Sequence, residues 1–191
     1  MDLTQELTDR VRAAQADGTP LDICGGGTKL ALGNPVGTNA GQLEIVGHSG
    51  ILSYEPPELV VRARAGTPLA ELEAALAEAG QLFGFEPPHL GMGATLGGCV
   101  SAGLSGPRRA FAGSVRDFVL GVTVLTGSGE VLKFGGEVMK NVAGYDVSRL
   151  VTGAYGTLGV LLDVSLKVLP APRAEVTLMR EADVRSAHAA M

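Results

Sequence analysis

The segment Gly91–Gly106, GMGATLGGCVSAGLSG, consists almost entirely of small residues and is broken by glycine too often to form one regular helix or strand. A second cluster, GGGTK at 25–29, stands directly after the short apolar run LDIC at 21–24. Together they limit the chain to folds in which short elements are joined by closely approaching loops. The sequence has 28 glycines without a collagen period or a low-complexity tract, so they mark specific tight turns, and their clustering marks loops that carry function. GGGTK is either an ordinary loop or a cradle in which an anion rests against N–H groups that no Cβ shields. Nothing local separates the two.

Around these loops the periodicity is readable. Leu3, Leu7, Val11 and Ala14 fall at helical spacing and DGTP at 17–20 stops them, which predicts a helix over 3–16. LDIC and QLEIV (42–46) read as short strands, and LVVRARAG (59–66) alternates as a half-buried strand does. TPLAELEAALAEAG (67–80) predicts a helix with Thr67 as N-cap, Pro68 in the first turn, Leu69, Leu72, Leu76 and Ala79 on one face, and Gly80 as its end. A first, α/β lobe is expected to close near FGFEPP at 83–88. Gly91–Gly106 reads as a long loop with a helical turn inside. FVLGVTVLT (118–126), GSGE and VLKFGG (131–136) predict a hairpin. Asp146 is expected to cap a short helix with Leu150 and Val151 inward, followed by a strand over 160–170. The second lobe is thus β-rich and mainly antiparallel.

At 191 residues and 46% apolar content, the chain can build a proper core. A formal charge of -5, with no basic cluster beyond PRR at 107–109, argues against nucleic acid as partner. The amino-terminal segment lacks the pattern of a signal peptide, and no apolar run approaches the roughly 20 residues of a membrane span. The expected compartment is the cytoplasm, with membrane association only through partners. Cys24 and Cys99 lie far apart and outside any Cys-x-x-Cys pair, so no metal site is expected.

Two glycine clusters suit a pyrophosphate lying between two lobes. Neither is a P-loop, and neither is the Rossmann fingerprint. GGGTK after a strand, ELVVRARAGTPLAELEAALAEAGQ, FEPPHLGMGATLGGCVSAGLSGPRRAFAGSVRDF, and KNVAGYDVSRLVTGAYGTLGV resemble, in that order, the FAD-binding domain of the vanillyl-alcohol oxidase (PCMH-type) superfamily. Within it, FEPP, GATLGG, GPRR and KNVAGYD are most similar to the glycolate oxidase FAD-binding E subunit. The resemblance runs from about Pro20 to about Pro172.

It implies an α+β fold of the PCMH type, a small α/β lobe followed by a larger, mainly antiparallel β lobe with flanking helices, and FAD between them. The expected division is 1–86 for the first lobe, 87–172 for the second, and 173–191 for the start of a truncated substrate-facing domain. Gly25, Gly26, Gly27 and Thr28 match the first pyrophosphate loop of the family. Gly93, Ala94, Thr95, Gly97, Gly98, Ser101 and Gly103 match the second. Ser114 and Asp117 match positions near the ribose and adenine side, and Gly159 and Val160 match a backbone contact to the flavin nucleotide. Small residues let main-chain N–H groups reach phosphate oxygens, and the hydroxyls of Thr28, Thr95, Ser101 and Ser114 add directed donors. Some members tether flavin through a histidine where this chain has Thr28, so the implied FAD is non-covalent.

By the same resemblance the activity is oxidation of glycolate or a related 2-hydroxy acid by hydride transfer to flavin, with a sister flavoprotein subunit and an iron–sulfur subunit as partners. With three histidines and no His/carboxylate cluster, no catalytic base is assigned. Two alternatives stay open: a D-lactate dehydrogenase or enolpyruvylglucosamine reductase-like flavoenzyme, and a non-catalytic FAD-holding or assembly subunit. Among individual side chains, His89 is either over the flavin or an ordinary loop histidine. Lys140, Tyr145 and Asp146 support the cofactor loop. Arg108 and Arg109 contact phosphate, a partner, or acidic neighbours in an exposed turn. His48 and His188 are expected to be solvated.

Overall fold

The computed structural model describes residues 1–34, 37, 39–136, 145–177 and 179–190. In chain order the elements are α1 (Thr4–Asp17), β1 (Leu21–Cys24), β2 (Gly41–Glu44), β3 (Ile51–Glu55), β4 (Val60–Arg64), α2 (Leu69–Glu78) and β5 (Gln81–Leu82). They continue with α3 (Leu96–Ala102), α4 (Arg109–Ala112), α5 (Val115–Phe118), β6 (Val119–Leu125) and β7 (Val131–Gly135). The last are α6 (Val147–Val151), β8 (Val160–Lys167), β9 (Leu169–Pro170) and α7 (Val184–Ala190).

The centre is a five-stranded antiparallel sheet in the order β3-β4-β8-β6-β7. Among its inner strands, β6 and β8 are buried along most of their length, as strands covered on both faces must be. Helix α3 packs on β4 and β8, and α6 on β6 and β7. The expected hairpin forms with Val124 opposite Leu132. A parallel pair, β1-β2, stands apart from this sheet, joined by the loop that begins with GGGTK.

β4, expected in the first lobe, and β3, a strand the periodicity did not predict, enter the same sheet as β6 to β8, with Val61 opposite Leu166. The apolar cluster likewise runs without a break through Leu7, Leu43, Leu72, Phe85, Val122 and Leu166. Paired with β3 alone, β4 would leave the N–H and C=O groups of its other edge unmatched, and β8 pairs them from about a hundred residues further on.

Candidate functional site

At Cys24, β1 ends and the chain leaves the sheet through Gly25. Gly27 has φ +71°, in the left-handed region that disfavours a side chain. The amides of Gly25, Gly26, Gly27 and Thr28 find no acceptor among the described residues. A run of N–H groups that the protein itself leaves unmatched is what an anion cradle requires.

Facing this loop, Gly91–Gly106 contains a helix rather than only a turn. Thr95 is its N-cap, and Oγ1 accepts from the Gly98 amide at 3.3 Å. Leu96 N donates to Thr67 O at 2.9 Å and Gly97 N to Ala65 O at 2.7 Å. The first-turn amides of α3 are therefore matched within the protein, and this cluster contributes closeness instead. A Cβ on Gly26 would lie 1.5 Å from the Gly93 carbonyl oxygen, and one on Gly97 would lie 2.8 Å from the Ala65 Cβ. At Gly103, which closes α3 at φ +67°, it would lie 2.8 Å from the Gly153 Cα.

Between the two clusters lies a cavity of about 610 Å³. Small-molecule clefts span roughly 300–1,000 Å³. Gly25, Gly26, Gly27, Thr28, Thr95, Gly97, Gly98 and Ser101 all line it, so the fold brings both expected loops to one place. Ile23, Ile45, Ala65 and Leu161 add an apolar floor.

The remaining expected residues lie outside its lining. Gly93 sits against Gly26, and the buried Ala94 accepts the Leu69 amide at 2.9 Å, satisfying the exposed start of α2. Ser114 and Asp117 form a capping box at α5: the Ser114 amide and hydroxyl both donate to Asp117 Oδ2 at 2.8 Å. Those bonds hold the Asp117 carboxyl below its ordinary pKa. Gly159, with φ +135°, turns the chain into β8, and Val160 is buried opposite Leu125.

Sequence reasoning passed over Lys29 and the segment Ala154–Thr157, all of which line the cavity. Lys29 stood in the quoted motif. The second segment had a signal in AYGT: Tyr155 (φ 51°) and Gly156 (φ 76°) are both left-handed, and such backbone gathers at binding sites. Lys29 Nζ donates to Thr28 Oγ1 at 3.3 Å and to His89 O at 3.2 Å. Burial lowers its pKa below the usual lysine value.

Several side-chain expectations resolve in place. His89 is an ordinary loop histidine: Nε2 is 3.0 Å from Glu73 Oε2 on α2, and the residue does not line the cavity. Arg108 pairs with Glu86 at 3.4 Å and Glu175 at 2.9 Å, the acidic-neighbour reading. Asp146 caps α6 by accepting the Arg149 amide at 3.1 Å, but Leu150 is exposed and only Val151 points inward. Lys140 and the rest of KNVAG (140–144) lie outside the described residues. His48 is not solvated; it is 1% exposed, and Nδ1 accepts the Leu3 amide at 2.9 Å. Cys24 and Cys99 are buried free thiols, and burial pushes Cys99 up to about 12, which leaves it unreactive. Among the described residues no helix is long and apolar enough to cross a membrane, and no cluster of His, Cys, Asp and Glu is placed to hold a metal.

The profile of a family described as FAD binding domain matches residues 2–135. Glycolate oxidase subunit GlcE of Escherichia coli (strain K12) is 56% identical over 187 residues, covering 97% of this chain and 53% of that protein. D-lactate dehydrogenase of Anaerostipes hadrus is 32% identical over 178 residues, covering 92% of this chain and 37% of that one. Among solved structures, an alkyldihydroxyacetonephosphate synthase superposes with a TM-score of 0.70 at 23% identity, over 89% of this chain and 31% of its own. That likeness shows a shared α+β, PCMH-type fold. The chain spans about half the length of the E. coli relative and about a third of the other two.

Proposed function

The chain belongs to the FAD binding domain family, whose cofactor is FAD, and from that premise we propose that it is the flavin-holding part of a glycolate oxidase-type subunit. The observation that carries the reading is the unmatched run of amides at Gly25–Thr28, set on a cavity that a Cβ at Gly26 would disrupt. Such a cradle fits a diphosphate. The resemblance to a protein named as a glycolate oxidase subunit then supplies the substrate class, glycolate or a related 2-hydroxy acid.

In this reading the loop amides take the phosphate oxygens, and the hydroxyls of Thr28, Thr95 and Ser101 add donors. Gly97 and Gly98 keep the opposite wall close. Gly93, Ala94, Gly103, Gly159 and Val160 brace these segments, and Ser114 with Asp117 shapes the adjoining turn near the nucleotide. Bound there, FAD supplies the hydride acceptor for oxidation of the carbon bearing the hydroxyl. No histidine or cysteine is among the described residues lining the cavity, which supports a dissociable cofactor. The described residues 173–177 and 179–190 are largely exposed and α7 buries nothing, as befits the start of a substrate-facing domain that would hold the base and the carboxylate clamp. A sister flavoprotein subunit and an iron–sulfur subunit complete the proposed assembly in the cytoplasm, with any membrane contact made by partners.

The test uses the full-length protein purified with FAD. Acid precipitation should release the flavin to the supernatant, and anaerobic glycolate should bleach its absorbance. Faster bleaching by D-lactate favours the second reading, which the D-lactate dehydrogenase relative supports. Bleaching by NADPH indicates a reductase, and bleaching only after a partner is added indicates a flavin-holding subunit. A protein that retains no flavin in its intact complex overturns the proposal.

A further inference from the structure

The cradle has amides but, apart from one side chain, no positive charge. Among the described residues lining the cavity, Lys29 is the one cation and Asp22 the one carboxylate. Lys29 is half-buried, and its ammonium meets only neutral oxygens, Thr28 Oγ1 at 3.3 Å and His89 O at 3.2 Å. No carboxylate among the described residues lies within ion-pair distance of it. Holding a lysine partly out of water without a counter-ion is unfavourable, and burial accordingly lowers its pKa.

The two contacts also have a geometry. Thr28 closes the first glycine loop, and His89 leads into the second; a Cβ on Gly91 would lie 3.0 Å from the Thr28 Cγ2. His89 is itself held to α2 through Glu73 at 3.0 Å. The ammonium therefore ties both loops together. Because Nζ donates to Thr28 Oγ1, that oxygen acts as an acceptor toward Lys29, and its own proton is left for another partner.

We propose that Lys29 is a cofactor-binding residue: its ammonium supplies the counter-charge for a diphosphate in the Gly25–Thr28 cradle and presents the Thr28 hydroxyl to that diphosphate as a donor. This rests on the flavin reading for the identity of the ligand, but its chemistry requires only a diphosphate. A charge-assisted hydrogen bond is about twice as strong as a neutral one, so the charge matters beyond the geometry of the contact.

The experiment measures binding of FAD and of inorganic pyrophosphate to the wild-type chain, Lys29→Met and Lys29→Arg, by calorimetry at low and high salt. Methionine keeps the volume of the stem and removes the charge. Lys29→Met should weaken both ligands about tenfold or more and flatten the salt dependence, with Lys29→Arg recovering part of each. Thermal melting without ligand reports whether the variant is folded. If folded Lys29→Met binds both ligands like wild type with the same salt dependence, the assignment of Lys29 is overturned while the flavin reading stands. If the wild type binds pyrophosphate through Lys29 but not FAD, the assignment holds and the flavin reading fails.

Discussion

Gly26 has the tightest approach in the site. A Cβ there would sit 1.5 Å from the Gly93 carbonyl oxygen, and because the obstruction is main chain no rotamer relieves it. Gly26→Ala should force the glycine loops apart, lower stability by about 1–3 kcal/mol as overpacking does, and abolish FAD retention; melting and flavin content after desalting check both. His48 makes a different prediction. Burial, the largest influence, lowers its pKa, while Asp2 opposes that shift and Arg64 reinforces it. The folded protein thus resists protonation that the unfolded chain accepts below about pH 6.5. Stability present at neutral pH is lost as the pH falls from there through the lowered folded value, because protonated Nδ1 no longer accepts the Leu3 amide. Melting temperature should decline as the pH falls below about 6.5, and His48→Leu, though less stable, should lose that slope. Asp2 does not confuse the window: its carboxyl is held well below 3.8, chiefly by the Thr4 amide and hydroxyl and then by Arg64, so its contribution is lost only in stronger acid. His48 looked solvated because its sequence neighbours are polar, whereas the residues ahead of α1 fold back on it: the Leu3 amide donates to Nδ1 and Asp2 Oδ1 lies 3.8 Å away.

Elements with strong apolar periodicity were legible. On the expected face of α2, Leu69, Leu72 and Leu76 are 0% exposed, while Ala79 falls at the C-cap and is exposed. Its cap was not legible. The Thr67 hydroxyl donates to Arg64 O at 2.7 Å and accepts the Gly50 amide at 2.9 Å, while the helix begins after Pro68 with its first amide on Ala94 O. A residue beside α3 thus completes α2. The converse holds for α3, which contains Gly97 and Gly98 and has poor intrinsic helix propensity. Its first turn is held by bonds to Thr67 and Ala65 and by the Thr95 cap, none of them visible in local pattern. Thr95→Ala should cost about 1 kcal/mol, as loss of an N-cap does, and weaken FAD through displacement of the Gly97–Gly98 wall. Thr95→Ser should restore both, with urea unfolding and flavin titration as readouts.

At the scale of the whole molecule, the cavity joins β1, the GGGTK loop, α3 and the Ala154–Thr157 segment, so a ligand there links parts of the chain far apart in sequence. FAD at about a hundred times its Kd should add about 2.7 kcal/mol of stability, seen as a rise in melting temperature. Hydrogen exchange should slow at residues 25–29 and 154–157 and stay unchanged in α7, which buries nothing. Equal protection everywhere, or none at these loops, counts against this cavity as the site. From the sequence alone came the apolar faces of α1 and α2, the β6-β7 hairpin, the expectation of two glycine loops on one anion, and a family resemblance, because each rests on local spacing or on motif order. Only the tertiary structure decided that β4 pairs with β8, that the first-turn amides of α3 are already matched while those of Gly25–Thr28 are not, and that Lys29 lies between both loops. Each of these depends on which backbone groups meet across long stretches of chain, and a hydrogen-bond partner brought by the fold leaves no trace in the residues beside it.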